Sequence, residues 1–179
     1  MRVVQIRNIS LMCYTPLTLI MTHYSTRNCR NLYILQLAIA YNADIEKRYH
    51  HTNLIARAIS CNNLLSLNVL IAHNVNVNVD NGDPLCSAIR LDNCTAVDFI
   101  KALILAGVDV NMTPHGCRTA FEVAIEYCSV GIVSMLIDAG VILPYSALVM
   151  AHEARVDRRA KINLIQQIVS RGGHFYRYK

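Results

Sequence analysis

The 179-residue chain has no tryptophan, only four prolines and seven glycines, and just 16% of its residues are charged. So little Pro and Gly excludes collagen-like and Pro/Gly low-complexity architectures. So little charge, set against 54% hydrophobic residues, excludes a disordered polyelectrolyte. What remains is an apolar globular chain of one domain, or two small ones, long enough to bury a sizeable core.

Disulfide patterning is missing too. The seven cysteines (Cys13, Cys29, Cys61, Cys86, Cys94, Cys117 and Cys128) are odd in number and include no C-x-x-C pair. Reduced thiols packed as small hydrophobes are expected, as in a cytoplasmic or nuclear protein. The apolar stretch at residues 9–21 follows Arg2 and Arg7, but Ser10, Thr15, Pro16 and Thr18 interrupt it and no small-x-small site follows. It falls short of the roughly 20 apolar residues that cross a bilayer, so neither a signal peptide nor a membrane span is expected.

Catalytic signatures are absent as well: no H-E-x-x-H, G-x-S-x-G, Gly-rich phosphate loop or dinucleotide fingerprint occurs. The seven histidines do not pair with cysteines at zinc-finger spacing, and His50-His51 reads as a solvated pair. Glu122 and Glu126 stand one helical turn apart and read as a solvated face, since an acid/base pair would need a pocket. No catalytic residue, cofactor or metal is expected.

What is present is a repeat. Asn42, Asn74, Gly107, Gly140 and Gly172 are separated by 32, 33, 33 and 32 residues. Seven residues before them stand Leu35, Leu67, Ile100, Val133 and Ile165; four before stand Ala38, Leu70, Leu103, Leu136 and Ile168. Three before stand Ile39, Ile71, Ile104, Ile137 and Val169; three after stand Ile45, Val77, Val110, Leu143 and Phe175. Offsets of three and four stack side chains on one helical face, and Gly or Asn is what a left-handed C-cap prefers. Upstream of each such helix lies a start triplet: Thr15-Pro16-Leu17, Thr52-Asn53-Leu54, Asp83-Pro84-Leu85, Thr119-Ala120-Phe121 and Ser146-Ala147-Leu148. The first residue of each can accept a bond from a first-turn amide, and Pro costs nothing at the first helical position. Each unit is then a capped helix, a turn, a second helix ending in Gly or Asn, and an extended connection.

That unit resembles the ankyrin repeat, over most of the chain. Leu103-Ile104-Leu105-Ala106-Gly107-Val108-Asp109-Val110-Asn111 is similar to the family's L-L-x-x-G-A-D-V-N ending, and Asp83-Pro84-Leu85 to its T-P-L start. The tetratricopeptide array has a nearby period of about 34, but its Trp and late Pro are missing here. The resemblance implies an all-α ankyrin-repeat solenoid of about five stacked helix-turn-helix units with short hairpin connections. Residues 1–12 form an N-terminal remnant or cap. Residues 13–179 form one repeat domain, with units near 13–45, 46–77, 78–110, 111–143 and 144–176. The family's His after T-P-L is replaced by Thr18, Ile55, Cys86, Glu122 and Val149, which removes the hydrogen-bond network it supplies between repeats. Extra residues at 25–32 and 91–96 must lengthen helices or the turns joining them.

Function follows from the same resemblance. In ankyrin proteins the connections form fingers that line a concave recognition surface together with the first helices. The finger tips would fall at residues 46–49, 78–81 and 112–115, giving Arg48, Tyr49, Asp80, Asn81, His115 and Arg118 as candidate protein-binding residues; Arg and Tyr are favoured interface anchors. Asn78 and Asn111 hold the finger position at which ankyrin proteins can be hydroxylated. The expected role is an adaptor or inhibitor that binds another protein. The alternative is a nucleic-acid or acidic-surface binder. A net charge of +5 and a pI near 8.9 support it, with seven of the 17 Lys and Arg between Arg155 and Lys179. The same charges fit a polar capping unit at the end of the stack.

Overall fold

Asn42, Asn74, Gly107 and Gly140 all take positive φ (56°, 57°, 82° and 86°) in the computed structural model, which describes residues 29–46, 53–91, 93–114, 118–127 and 129–171. Among these residues stand nine α-helices and no strand: α1 (Cys29–Ala40), α2 (Leu54–Ser60), α3 (Leu64–Ala72), α4 (Asp83–Ile89), α5 (Asn93–Leu105), α6 (Ala120–Glu126), α7 (Val130–Asp138), α8 (Ala147–Glu153) and α9 (Arg158–Ser170). The four left-handed residues stop α1, α3, α5 and α7. Beyond each, the next N–H reaches back five residues: Ala43 to the Ala38 carbonyl, Val75 to Leu70, Val108 to Leu103 and Val141 to Leu136, at 3.0–3.2 Å. That is the Schellman closure, repeated four times. Residues 1–28 and 172–179, with the first start triplet and the fifth cap Gly172, lie outside the described residues.

The apolar rows read from the sequence sort by depth. Leu35, Leu67, Ile100 and Val133 are buried, as are Leu70, Leu103, Leu136 and Ile168, while Ala38 and Ile165 in the same rows are half-buried. The row three before the cap is shallower on the whole, with Ile39, Ile71 and Ile104 half-buried and Val169 exposed, although Ile137 is buried. A step of one residue turns a helix by about 100°, so this row lies on the flank of the stripe.

The helices form two columns. The first helices of the units, α2, α4, α6 and α8, have seven residues each, and each packs on the next. The second helices stack behind them, α1 on α3 on α5, and α7 on α9. One continuous core runs between the columns from Leu35 to Ile168. The extra residues of the third unit go into α5, which has 13 residues where α3 and α7 have nine.

The start triplets need correction. In the second unit the cap is Asn53, whose Oδ1 accepts the Ala56 N–H at 2.7 Å, so the triplet is Asn53-Leu54-Ile55, one residue later than expected. Thr119 does cap as expected, in a reciprocal box with Glu122: the Glu122 N–H donates to its hydroxyl at 3.2 Å, and its own N–H donates to the Glu122 carboxylate at 2.8 Å. The Ser146 hydroxyl instead lies 3.4 Å from the Met150 sulfur and makes no cap bond. With the second unit in its true register, Ala58, Ala88, Ala124 and Ala151 fall five residues past the cap position, and none has any exposed surface. This row of small, fully buried side chains on successive short helices had no place in the periodicity of the caps.

Neighbouring units are tied by asparagine. The Asn78 side chain accepts the Asp109 N–H (2.7 Å) and donates to the Gly107 carbonyl (3.2 Å); Asn111 does the same one unit on, accepting from Ile142 (2.6 Å) and donating to Gly140 (3.3 Å). Glu46 holds the equivalent place before Asn78. It accepts the Asn76 N–H at 2.9 Å but, as a carboxylate, has nothing to donate. The fourth member is Pro144. There the tie passes to Arg171, which donates to the Asp138 carboxylate (2.6 Å) and the Ile137 carbonyl (3.5 Å). Asp44, Asn76 and Asp109 each accept the N–H of the residue two further on. Ile142 stands where the next acceptor would be, and Pro144 has no N–H that needs one. Asn111→Ala should therefore cost about 1 kcal/mol, and Asn111→Asp about half as much because it keeps the acceptor, as measured by urea denaturation.

Candidate functional site

The side of the stack formed by α2, α4, α6 and α8 is the side on which the family resemblance places recognition. Each of these helices turns its buried stripe toward the second column, and one row of exposed residues runs along the stack at their C-terminal ends. Seven residues past the cap position that row reads Ser60, Arg90, Glu126, Glu153, all exposed. Adjacent helices pack at about 8–10 Å, so the three charged members, Arg90, Glu126 and Glu153, stand about one unit apart. The sign changes between the third and fourth units.

Between α6 and α8 the face opens into a cleft of about 440 Å³, lined by Arg118, Glu122, Ile125, Glu126, Met150, Glu153, Ala154 and Arg155. The floor is apolar, with Ile125 and Ala154 buried and Met150 half-buried. The rim is charged. Arg118 pairs with Glu126 at 2.7 Å, and Glu122 is held by the Thr119 capping box. The Glu153 carboxylate has no ion pair or hydrogen bond among the described residues. Tyr127, 44% exposed, stands beside Glu126 at the end of α6. The expectation that Glu122 and Glu126 form a merely solvated face thus needs revision: one caps a helix, and both border a recess.

The six candidates from the sequence divide. Arg118 is exposed and sits on the rim of this cleft. Asp80 belongs to the connection before α4, where the expected finger is a 3-10 turn (Val79–Gly82) running directly into the helix. It has φ of 53° and its carboxylate accepts the Asn53 side-chain amide at 2.8 Å, so it also braces the previous unit. Asn81 lies in the same turn. Arg48, Tyr49 and His115 lie outside the described residues, as does the His50-His51 pair. Of the three described candidates, the structure puts Asp80 and Asn81 in one turn and Arg118 on the cleft. It brings Arg118 to acidic residues of α6 and α8 that carried no motif; the cue was their common offset from the cap.

The missing family histidine is replaced by other bonds. Cys86, buried at its position in the third unit, lies 3.8 Å from the Arg118 carbonyl of the next unit, a weak S–H···O contact. Among the described residues no three His, Cys, Asp or Glu side chains stand close enough to hold a metal ion, and no helix is long and apolar enough to cross a membrane.

The last helix pair is less polar than a capping unit was expected to be. Arg155, Arg158 and Arg159 are exposed, and the Lys161 ammonium caps α8 through the His152 carbonyl at 2.6 Å. Yet Val149 (52%), Ile162 (46%) and Val169 (49%) are exposed as well. Their positions in the units before are half-buried, buried or held by a polar residue.

No protein-family model matches the sequence. It is 26% identical over 131 residues to an ankyrin repeat protein of fowlpox virus (strain NVSL); the match covers 72% of this chain and 18% of that protein, so the chain spans about a fifth of this relative's length. The crystal structure of an ankyrin repeat domain from Acinetobacter baumannii AYE superposes with a TM-score of 0.65 at 21% identity, covering 79% of this chain and 78% of that one. Four left-handed helix stops one repeat apart, two helical columns, asparagine ties between units and these two likenesses agree: the chain has an ankyrin-repeat fold.

Proposed function

We propose that the chain is a non-catalytic adaptor or inhibitor that takes a partner protein on its short-helix face, in the cytoplasm or nucleus of a cell. Ankyrin repeats in general bind other proteins. The observation that carries the reading here is the charged, apolar-floored cleft between α6 and α8 on the same face as the exposed ladder from Ser60 to Glu153. A relative from a poxvirus supports a partner in a host cell.

The test is affinity capture with two charge-reversed proteins. Arg118→Glu/Glu153→Lys alters the short-helix face, and Asp98→Lys/Lys101→Glu alters exposed positions on α5 in the other column. A partner retained by wild type and the α5 variant, and lost from the first, supports the reading. Equal retention by both variants overturns it. The exposed Arg155, Arg158 and Arg159 favour a second reading, binding of nucleic acid or an acidic surface at the end of the stack. Recovery of nucleic acid that falls steeply as salt rises, unchanged by either variant, would support that one instead.

A further inference from the structure

The exposed row seven residues past the cap position runs Arg90, Glu126, Glu153 through the third to fifth units, so its sign changes once. Arg90 presents an exposed guanidinium with no side-chain partner among the described residues. One and two units on, Glu126 and Glu153 present carboxylates on either side of the 440 Å³ cleft. Arg118 pairs with Glu126 at 2.7 Å and Arg155 also lines the cleft, but the carboxylates Glu122, Glu126 and Glu153 outnumber the two guanidiniums, and Glu153 makes no ion pair or hydrogen bond among the described residues. The floor of Ile125, Met150 and Ala154 is what the aliphatic stem of a lysine or arginine covers when its head sits among carboxylates. A uniformly acidic ligand would meet repulsion at Glu126 and Glu153, and a uniformly basic one at Arg90.

We propose that this face reads an extended segment of a partner protein by two charges of opposite sign: a basic side chain in the cleft between α6 and α8, and an acidic side chain against Arg90. This rests on the reading of the short-helix face as the binding face and adds the chemistry of what it binds. Helices of adjacent units lie about 8–10 Å apart, and an extended chain advances about 3.3 Å per residue. The two ligand charges therefore stand about three to six residues apart. The ladder supplies selectivity more than raw affinity, because exposed charges chiefly steer encounters and reject wrong partners.

A random dodecapeptide library displayed on phage, selected separately on wild type, Arg90→Glu and Glu153→Lys, tests this. Both positions are exposed, and a thermal melt checks that each variant folds. Wild type should enrich peptides that pair an acid with a base at that separation. Arg90→Glu should lose the preference for the acid, and Glu153→Lys the preference for the base. A synthetic peptide of the enriched sequence should bind each variant about tenfold more weakly. Enriched peptides with no paired charges, yet lost on either substitution, would overturn the two-charge proposal and leave the short-helix face as the binding face. Enrichment indifferent to both substitutions, or no enrichment at all, would also overturn it, and the capture experiment then decides separately whether the face binds a folded partner.

Discussion

Leu103→Ala should destabilise the protein by about 3 kcal/mol, within the 2–5 kcal/mol range of buried Leu→Ala changes, while Ile104→Ala should cost about half that. The two residues are adjacent, similar in volume, and equally marked as apolar by the repeat. They differ in where a single helical step places them. Leu103 is completely buried between the columns, and its carbonyl also receives the Val108 N–H that closes the Schellman turn. Ile104 is half-buried on the flank. The truncation at 103 removes packing from α5 in the middle of the stack, against α3 and α4. A repeat array gains its stability unit by unit and interface by interface, so a weak central unit loosens both halves. For a chain of this size about 3 kcal/mol lowers Tm by roughly 6–12 °C. Calorimetry on the two variants gives the comparison directly. Equal losses at 103 and 104 would mean that the row before the cap is packed as deeply as the row behind it.

This contrast shows what was legible in the sequence and what was not. The second helices announced themselves. Each ends on Asn or Gly, a residue that tolerates positive φ, and each carries Leu or Ile at offsets that only a helix brings to one side. The start of the second unit was ambiguous because Thr52 and Asn53 are both capping residues and Leu54 and Ile55 are both apolar. Only the bond from the Ala56 N–H to Asn53 decides between them. The alanine row was missed because alanine is weakly apolar, and because the positions 58, 88, 124 and 151 are irregularly spaced where the helix-ending caps are nearly periodic. Long-range ties such as Asn78 to Gly107 are invisible to local pattern, since a loop asparagine looks the same whether it meets water or the next unit. The candidate site was partly legible for the same reason. Arg118 was chosen by residue type, but Glu126 and Glu153 become a site only when α6 and α8 lie side by side.

Ala124→Leu tests the part that periodicity did not announce, and it should cost about 3 kcal/mol, the upper end of the usual range for overpacking. Ala124 lies on α6, which packs against α4 on one side and α8 on the other. Its counterparts Ala88 and Ala151 sit on those two neighbours and are equally buried. Three added carbons cannot be absorbed in one direction, because pushing α6 away from α4 presses it toward α8. The strain also reaches the short-helix face, since Ile125 and Glu126 follow Ala124 directly and line the cleft. Urea denaturation should therefore show a lower midpoint, and any ligand of the cleft should bind less tightly even at temperatures where the variant is fully folded. Ala56→Leu is the control: it adds the same atoms at a half-buried position on α2 and should stay within about 1 kcal/mol of wild type. If Ala124→Leu melts with Ala56→Leu, the short helices are not in close contact along this row.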